Sequence, residues 1–124
     1  MPVICGVGTD IVEIVRIREA VEKWGDHFLR KVFSENEITY CYSKNDPALH
    51  LAARFAAKEA CIKALSTSIT DHMSMKDIEV SNDPSGKPLL NVNRNEISSE
   101  RIILHLSLSH ERHYAVATVI AEQQ

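Results

Sequence analysis

One helical run constrains this chain more than any other feature, because it is long, apolar and interrupted by charge. It begins at Asp46-Pro47, which have the residue types of a helix N-cap and a first helical position, and it continues to about Leu65. At 1.5 Å per residue this is roughly 30 Å of helix, enough to be the spine of a small domain. At 100° per residue an apolar stripe follows its length, formed by Leu51, Phe55, Ile62 and Leu65.

Charged residues interrupt this apolar helix. Lys58 falls near the middle of the stripe, and Glu59 and Lys63 lie on its flank one turn apart. A surface ion pair with this spacing is worth about 0.3–0.5 kcal/mol, and a lysine in an apolar stripe is able to extend its ammonium group into water. Because Arg54 is on the same helix, the set also favours a site for an anionic ligand.

The amino-terminal part of the chain alternates strand and helix signals. Val3–Val7 is typical of a short buried strand, and apolar residues then recur at helical spacing from Ile11 to about Trp24, where Gly25 stops the run. Ser34 and Glu37 have the spacing of a capping box, which predicts a second, short helix.

The carboxy-terminal part predicts antiparallel strands. Asp83–Gly86 has turn residues between two apolar runs, and Leu104–Ser109 alternates leucine with polar residues, the period of a half-buried strand. A last strand is expected at Tyr114–Ile120. The predicted fold is α+β, a small, largely antiparallel sheet packed on a long central helix, in a single domain spanning residues 1–124.

Composition excludes several classes of function. The net charge is −3, which argues against nucleic acid as the main partner. No apolar run approaches the ~20 residues of a membrane span, and no signal-peptide pattern heads the chain. Cys5, Cys41 and Cys61 are odd in number and form no C-x-x-C pair, so we expect reduced thiols in a cytoplasmic protein with no membrane association.

A glycine-flanked carboxylate precedes the first predicted helix, in Gly6-Val7-Gly8-Thr9-Asp10. Glycines at the end of a strand permit the close approach of another backbone or a ligand, whereas the simpler alternative is that Asp10 caps the following helix. If the fold brings Asp10 and Glu59 together, the pair would suit Mg²⁺, which takes one or two carboxylates and completes its shell with water and phosphate oxygens. Neighbouring lysines would then neutralise phosphate charge.

Histidines near the carboxyl terminus raise two further possibilities. His105, His110 and His113 suggest zinc, but they lack the H-E-x-x-H pattern, and a polar strand face is the better interpretation. Ser107, Ser109 and His110 suggest a hydrolase, which we reject because no G-x-S-x-G is present.

Five segments occur in an order that resembles one known family. They cover nearly the whole chain and read GVGTDIVEIVRI, SENEI, RFAAKEACIKAL, DIEVSNDPSGKPLL and LSLSHERHYAVATVI. This pattern is similar to that of the holo-acyl-carrier-protein synthases, the small 4′-phosphopantetheinyl transferases. The resemblance implies that phosphopantetheine is moved from coenzyme A to a serine of apo-acyl carrier protein, supporting fatty acid biosynthesis and releasing adenosine 3′,5′-bisphosphate.

The resemblance also implies the residues that carry the chemistry. Asp10 and Glu59 match the magnesium ligands, and Lys63 matches the lysine that holds the pyrophosphate and steadies the leaving group. The base would be a metal-bound water or one of the two carboxylates.

Further matching positions concern the binding of coenzyme A. Arg54 and His110 match residues on the side of its 3′-phosphate. Gly86, Lys87 and Pro88 match the pocket for adenine.

The family's first helix docks the acidic carrier protein through basic side chains, and Arg16 and Lys23 lie on one face of the matching helix here. Such enzymes are typically homotrimers with active sites at subunit interfaces, which suits a sheet too small to shield both of its faces. Two other functions remain open: another magnesium-dependent nucleotide or pyrophosphate enzyme, and a non-catalytic carrier-protein adaptor.

One segment departs from the family pattern. Where the family has G-x-G after the central helix, this chain has Ser66-Thr67-Ser68. Glycines there would end the helix in left-handed geometry and admit the cofactor closely, and serines do both less easily.

Overall fold

The computed structural model describes all 124 residues, Met1–Gln124, and contains five strands and five helices. The strands are β1 (Val3–Glu13), β2 (Ile78–Asn82), β3 (Pro88–Val92), β4 (Ile102–His110) and β5 (Tyr114–Gln123). The helices are α1 (Ile14–Trp24), α2 (Asp26–Val32), α3 (Glu35–Tyr42), α4 (Pro47–Ala64) and α5 (Asn95–Ser99). A short 3-10 turn, Met75–Asp77, precedes β2. No helix is long and apolar enough to cross a membrane.

The predicted architecture is confirmed. Three strands form an antiparallel sheet in the order β1-β5-β4, and β2 and β3 form a separate antiparallel hairpin. The long helix α4 packs across β1 and β5 on one face of the sheet. Alternate residues of β5 are fully buried against it, namely Ala115, Ala117, Val119 and Ala121.

Small residues let α4 lie close to β1. A Cβ atom on Gly6 would lie 1.7 Å from the carbonyl oxygen of Ala64, and one on Gly8 would lie 1.9 Å from that of Ala60. Both distances are far below van der Waals contact, so no side chain fits at either position. The expectation that these glycines permit close approach of a backbone is confirmed, and the approaching backbone is that of α4.

The predicted boundary between the first strand and the first helix is wrong. The strand continues to Glu13, and every residue from Gly6 to Glu13 pairs with β5, so α1 begins only at Ile14. The apolar residues of this stretch fit both a helical and a strand period, and pairing with β5 decides between them. Asp10 therefore lies inside a strand and does not cap the helix.

The outer face of the sheet has no covering element. Val7 and Ile11 of β1 are 61% and 63% exposed, although the sequence predicted a strand at Val3–Val7 that was buried. The physical reason is that only alternate residues of β1 face α4, and the others point to the opposite side.

Local signals at the other elements are mostly confirmed. Ser34 and Glu37 form the predicted capping box of α3, and the β2–β3 hairpin turns at the predicted residues. Helix α4 starts at Pro47 as expected, but the Asp46 side chain does not cap it. Its two oxygens accept from Arg18 at 3.0 and 3.4 Å instead.

Candidate functional site

A cleft of about 630 Å³ lies between β1, α1 and α4. Asp10 enters it from β1 and Glu59 from α4, and Arg16 of α1 and Phe55 of α4 also line it. The fold thus brings together two carboxylates that are 49 positions apart in the sequence (59 minus 10).

Lys63 lies beside this carboxylate pair, one helical turn after Glu59. Its ammonium group donates to the Asp10 carboxylate at 3.2 Å and to the Thr9 carbonyl at 2.9 Å. The side chain is 53% exposed, so the group remains open to a ligand. The carboxylate of Glu59, which also lines the cleft, accepts no hydrogen bond and makes no ion pair within the chain, so its oxygens are available.

The donor set of this cleft fits a magnesium ion. Asp10, Glu13 and Glu59 line the cleft, but no three histidine, cysteine or acidic side chains are grouped so that they could hold a metal ion by themselves. Mg²⁺ is usually held by one or two carboxylates while phosphate oxygens and water fill its other positions, whereas a structural zinc site needs four protein ligands. Asp10 and Glu59 match the first requirement.

The expectation that Lys58 belongs to an anion site is wrong. Its side chain is completely buried, and its ammonium group pairs with Glu37 at 2.7 Å. It also donates to the carbonyl oxygens of Val32, Met75 and Ile78 at 2.9, 3.1 and 2.6 Å. Burial lowers the pKa of Lys58, and Glu37 opposes that shift. All the donors of Lys58 are used inside the fold, so it joins α4 to its neighbours and has none left for a ligand.

Arg54 is the second buried cation of α4, with only 3% of its surface exposed. Its guanidinium group lies over the ring of Tyr40, 4.1 Å from the centroid, and donates to Asn82 at 2.8 Å. Its Nε atom is buried and has no hydrogen-bond partner. Arg54 therefore differs from Lys58, because it keeps donor capacity that the chain does not satisfy.

His110 lies at the end of β4, where its exposed side chain lines a second cleft of about 380 Å³ with Ile11 and Tyr114. Its ring is 6.4 Å from that of His50, and the His50 ring is 6.1 Å from that of Tyr40. Arg54 and His110, which the family resemblance assigned to one binding region, are thus joined through Tyr40 and His50.

The proposed adenine-binding residues lie on the β2–β3 hairpin. Lys87 and Pro88 line a cavity of about 210 Å³ together with Leu104 and Leu106 of β4. Gly86 lies in the turn, and its carbonyl accepts from the side chain of Asn82, the residue that binds Arg54. The hairpin residues do not line the cleft that holds Asp10 and Glu59.

The basic residues proposed for partner docking are both on α1. Arg16 is 81% exposed and pairs with Glu13 at 3.3 Å. Lys23 is exposed and lies over the ring of Trp24, 4.9 Å from its centroid. Arg16 also lines the carboxylate cleft, so the proposed docking face adjoins it.

The serine segment after α4 ends the helix without left-handed geometry. No residue from Ser66 to Ser68 has a positive φ, and Ser66 donates its hydroxyl hydrogen to the Lys63 carbonyl at 2.9 Å. Thr67 donates to the Cys5 carbonyl at 3.2 Å, which ties the end of the helix to β1. At the helix end the Lys63 carbonyl accepts from the hydroxyl and the N–H of Ser66, and the Cys61 carbonyl accepts from the Leu65 N–H, without the left-handed residue of a glycine cap.

Sequence reasoning missed several residues that shape the site. Tyr40, His50 and Asn82 were not singled out, and Glu37 was assigned only to a helix cap. His50 precedes Arg54 by four residues on one helix, and this spacing is the signal that could have found it.

The fold and the cleft together define a small α+β protein with two carboxylates and a lysine arranged around one open space. The chain matches the family model described as the 4′-phosphopantetheinyl transferase superfamily over residues 6–119. It belongs to that superfamily.

Two proteins with similar sequences have the same name. The holo-acyl-carrier-protein synthase of Halothermothrix orenii is 47% identical over 122 residues, covering 95% of this chain and 97% of that protein. The holo-acyl-carrier-protein synthase of Syntrophus aciditrophicus is 49% identical over 121 residues, covering 94% of each.

Solved structures have the same fold. The holo-acyl-carrier-protein synthase of Bacillus anthracis, in complex with coenzyme A (3′,5′-ADP), has a TM-score of 0.81 at 38% identity and covers 98% of both chains. The Helicobacter pylori synthase in complex with coenzyme A has a TM-score of 0.81 at 35% identity, covering 93% of this chain and 98% of that one.

Proposed function

We propose that this chain transfers the 4′-phosphopantetheine group of coenzyme A to a serine of apo-acyl carrier protein, giving the holo form and adenosine 3′,5′-bisphosphate. The observation that carries the proposal is the position of Asp10 and Glu59 on one cleft with Lys63 beside them. The names of the close relatives and the coenzyme A complexes of two structural neighbours support it.

The residues of the cleft supply what transfer from a pyrophosphate needs. Asp10 and Glu59 would hold Mg²⁺, which supplies charge stabilisation to the pyrophosphate when it is bound. Lys63 is close enough to Asp10 to place its ammonium group on the phosphate oxygens and on the leaving group. The nucleophile belongs to the carrier protein, and the two carboxylates are groups able to accept its proton.

Coenzyme A has further binding groups on the same chain. Arg54 and His110 provide positive or hydrogen-bonding groups for the 3′-phosphate, and Lys87 and Pro88, with Gly86 in the adjoining turn, provide a separate cavity for adenine. His110, Lys87 and Pro88 line clefts other than that of Asp10 and Glu59. We therefore propose that the full site forms between copies of the chain.

A homotrimer is the assembly we propose. The uncovered outer face of the sheet offers an apolar surface, with Val7 and Ile11 more than half exposed. A site shared between copies and an exposed apolar face both favour a symmetric oligomer. Light scattering coupled to size exclusion tests this, and a monomer or a dimer at working concentration would contradict the trimer.

The remaining parts of the proposal concern the partner and the setting. Arg16 and Lys23 would dock the acidic carrier protein, because both are exposed on α1 and Arg16 also lines the cleft. We place the reaction in the cytoplasm, in support of fatty acid biosynthesis. The buried thiols Cys41 and Cys61 are unpaired, which fits a reducing compartment.

Intact-protein mass spectrometry of apo-acyl carrier protein tests the function directly. With the enzyme, coenzyme A and Mg²⁺, the carrier mass should rise by one phosphopantetheine. A pyrophosphate hydrolase would consume coenzyme A without modifying the carrier. An adaptor would do neither.

Glu59→Gln is the matched variant for the metal assignment. Because an amide binds Mg²⁺ less well than a carboxylate of nearly the same size, we expect transfer to fall at least about 100-fold while the protein stays folded. Circular dichroism serves as the folding control, and Mn²⁺ should restore part of the loss. Wild-type turnover by the folded variant at ordinary Mg²⁺ concentration would contradict the assignment.

A further inference from the structure

Four side chains from three elements form a continuous ladder beside the hairpin. Arg54 lies over Tyr40, the Tyr40 ring meets the His50 ring edge to face, and the His50 ring meets that of His110. The interplanar angles of the two ring pairs are 84° and 66°. Edge-to-face pairs with centroids 4.5–7 Å apart are favourable arrangements, worth about 0.5–1.5 kcal/mol each.

The two residues at the ends of this ladder have side-chain donors available to a ligand, whereas the two rings between them serve as packing. Arg54 at one end is buried with an unpartnered Nε atom, and His110 at the other end is exposed to a cleft. Neither Tyr40 nor His50 lines the cleft of Asp10 and Glu59, the cleft of His110 or the hairpin cavity. The ring of His50 forms no side-chain hydrogen bond, so the ladder links Arg54 and His110 through the packing of two rings.

We propose that His50 is a positioning residue for a phosphate-monoester ligand, because its ring fixes Tyr40 and His110, and through Tyr40 the guanidinium group of Arg54. The inference rests on the proposed function and deepens it, since the 3′-phosphate of coenzyme A is a ligand of this class. His50 itself does not bind the phosphate.

The charges around His50 favour this supporting role. The groups that face it are Tyr40 and Lys44 from the side of α3, Asp46 and Arg54 from α4 and its N-cap, and His110 from β4. Burial lowers the pKa of His50, and the positive charges of Arg54 and Lys44 and the neighbouring His110 lower it further, while Asp46 acts in the opposite direction.

A proton on His50 would lie beside the cations of Arg54 and Lys44, and both these charges and burial disfavour that protonated form. The role proposed for His50 therefore rests on the packing of its ring and not on a positive charge.

Two replacements of His50, by Leu and by Phe, distinguish the packing of an aromatic ring from the ability of the imidazole to carry a proton. His50→Leu removes the edge-to-face contacts, whereas His50→Phe keeps an aromatic ring that cannot take a proton. His72→Leu is the matched control, because His72 is exposed and its side chain makes no hydrogen bond. Each variant is compared with the full wild-type protein for thermal stability before binding is measured.

Calorimetric binding of adenosine 3′,5′-bisphosphate and of adenosine 5′-monophosphate then provides the specific readout. We expect His50→Leu to bind the bisphosphate about tenfold more weakly, and His50→Phe and His72→Leu to stay within about twofold of wild type. Binding of the monophosphate, which lacks the 3′-phosphate, should be the same in all four proteins. In transfer assays the loss in His50→Leu should appear in KM for coenzyme A and not in KM for the carrier protein.

Two outcomes would overturn the inference, and a third would separate its failure from that of the proposed function. Unchanged bisphosphate binding by folded His50→Leu would show that the ladder does not position the phosphate groups. An equal loss for the monophosphate would show a general structural effect. A wild-type protein that binds the bisphosphate but modifies no carrier would refute the proposed function and leave this inference to be judged on binding alone.

Discussion

Helix α4 carries two lysine–carboxylate pairs that have the same chemistry and opposite environments. Lys58 and Glu37 are both completely buried and 2.7 Å apart. Lys63 and Asp10 are 3.2 Å apart, with 53% and 19% of their side chains exposed. The lysines are five residues apart on one helix, so they point about 140° away from each other.

The difference between the pairs lies in their remaining bonding capacity. Lys58 has three carbonyl acceptors besides Glu37, and Glu37 also accepts from the backbone N–H groups of Ser34 and Val80. Lys63 and Asp10 keep free donors and acceptors that face solvent. An ion pair whose partners are saturated holds elements together, and one with unsatisfied groups is able to bind something else.

Removing one member of the buried pair should have the largest effect on stability. We expect Glu37→Ala to lower the free energy of unfolding by about 3–5 kcal/mol, because it leaves the buried Lys58 ammonium group without a counter-charge and the Val80 N–H without its acceptor. Urea unfolding followed by circular dichroism measures the change. Asp10→Ala is the control and should cost no more than about 1 kcal/mol, since its partner is solvated. Similar losses in both variants would remove the distinction between the pairs.

Removing the exposed lysine should affect activity and leave stability nearly unchanged. We expect Lys63→Met to reduce kcat for phosphopantetheine transfer about 100-fold, the usual cost of one charge-stabilising donor. Its free energy of unfolding should change by at most about 1 kcal/mol. Steady-state kinetics and urea unfolding on the same preparation test both parts, and a stability loss as large as that of Glu37→Ala would contradict this division.

The pair Arg16–Glu13 extends the comparison to a nearly fully exposed position. We expect Arg16→Glu to lower kcat/KM for the carrier protein about tenfold and to leave KM for coenzyme A unchanged, because rim charges act mainly on encounter. Raising the ionic strength should slow the wild type more than the variant. If neither carrier-protein dependence nor salt response changed, α1 would not be the docking surface.

The sequence predicted those parts of the fold that depend on neighbouring residues. The start of α4 at Pro47, the capping box of Ser34 and Glu37, and the turn at Asp83–Gly86 are all local signals, and all three are confirmed. The end of β1 was misplaced because Ile11–Glu13 satisfies two periods, and only pairing with β5, more than 100 residues away, selects the strand.

The candidate site was less accessible to such reasoning. The spacing of Asp10 and Glu59 in the sequence could not show that they lie close together, because that depends on the fold. Their roles were assigned from the family resemblance. Lys58 was misjudged because its partner Glu37 is on another helix, and nothing in the sequence marks a lysine whose acceptors are backbone carbonyls. The roles of these residues in transfer stay predictions.

The close contact between β1 and α4 limits which residues can replace Gly8 during evolution. Gly8 is two residues before Asp10, and the carbonyl oxygen that excludes its side chain is that of Ala60, which directly follows Glu59. One added methyl group there would push apart the two backbones that carry the carboxylates. A genetic screen for inactive variants would therefore find substitutions of Gly8 as well as of Asp10 and Glu59, although glycine has no side chain that could take part in the reaction.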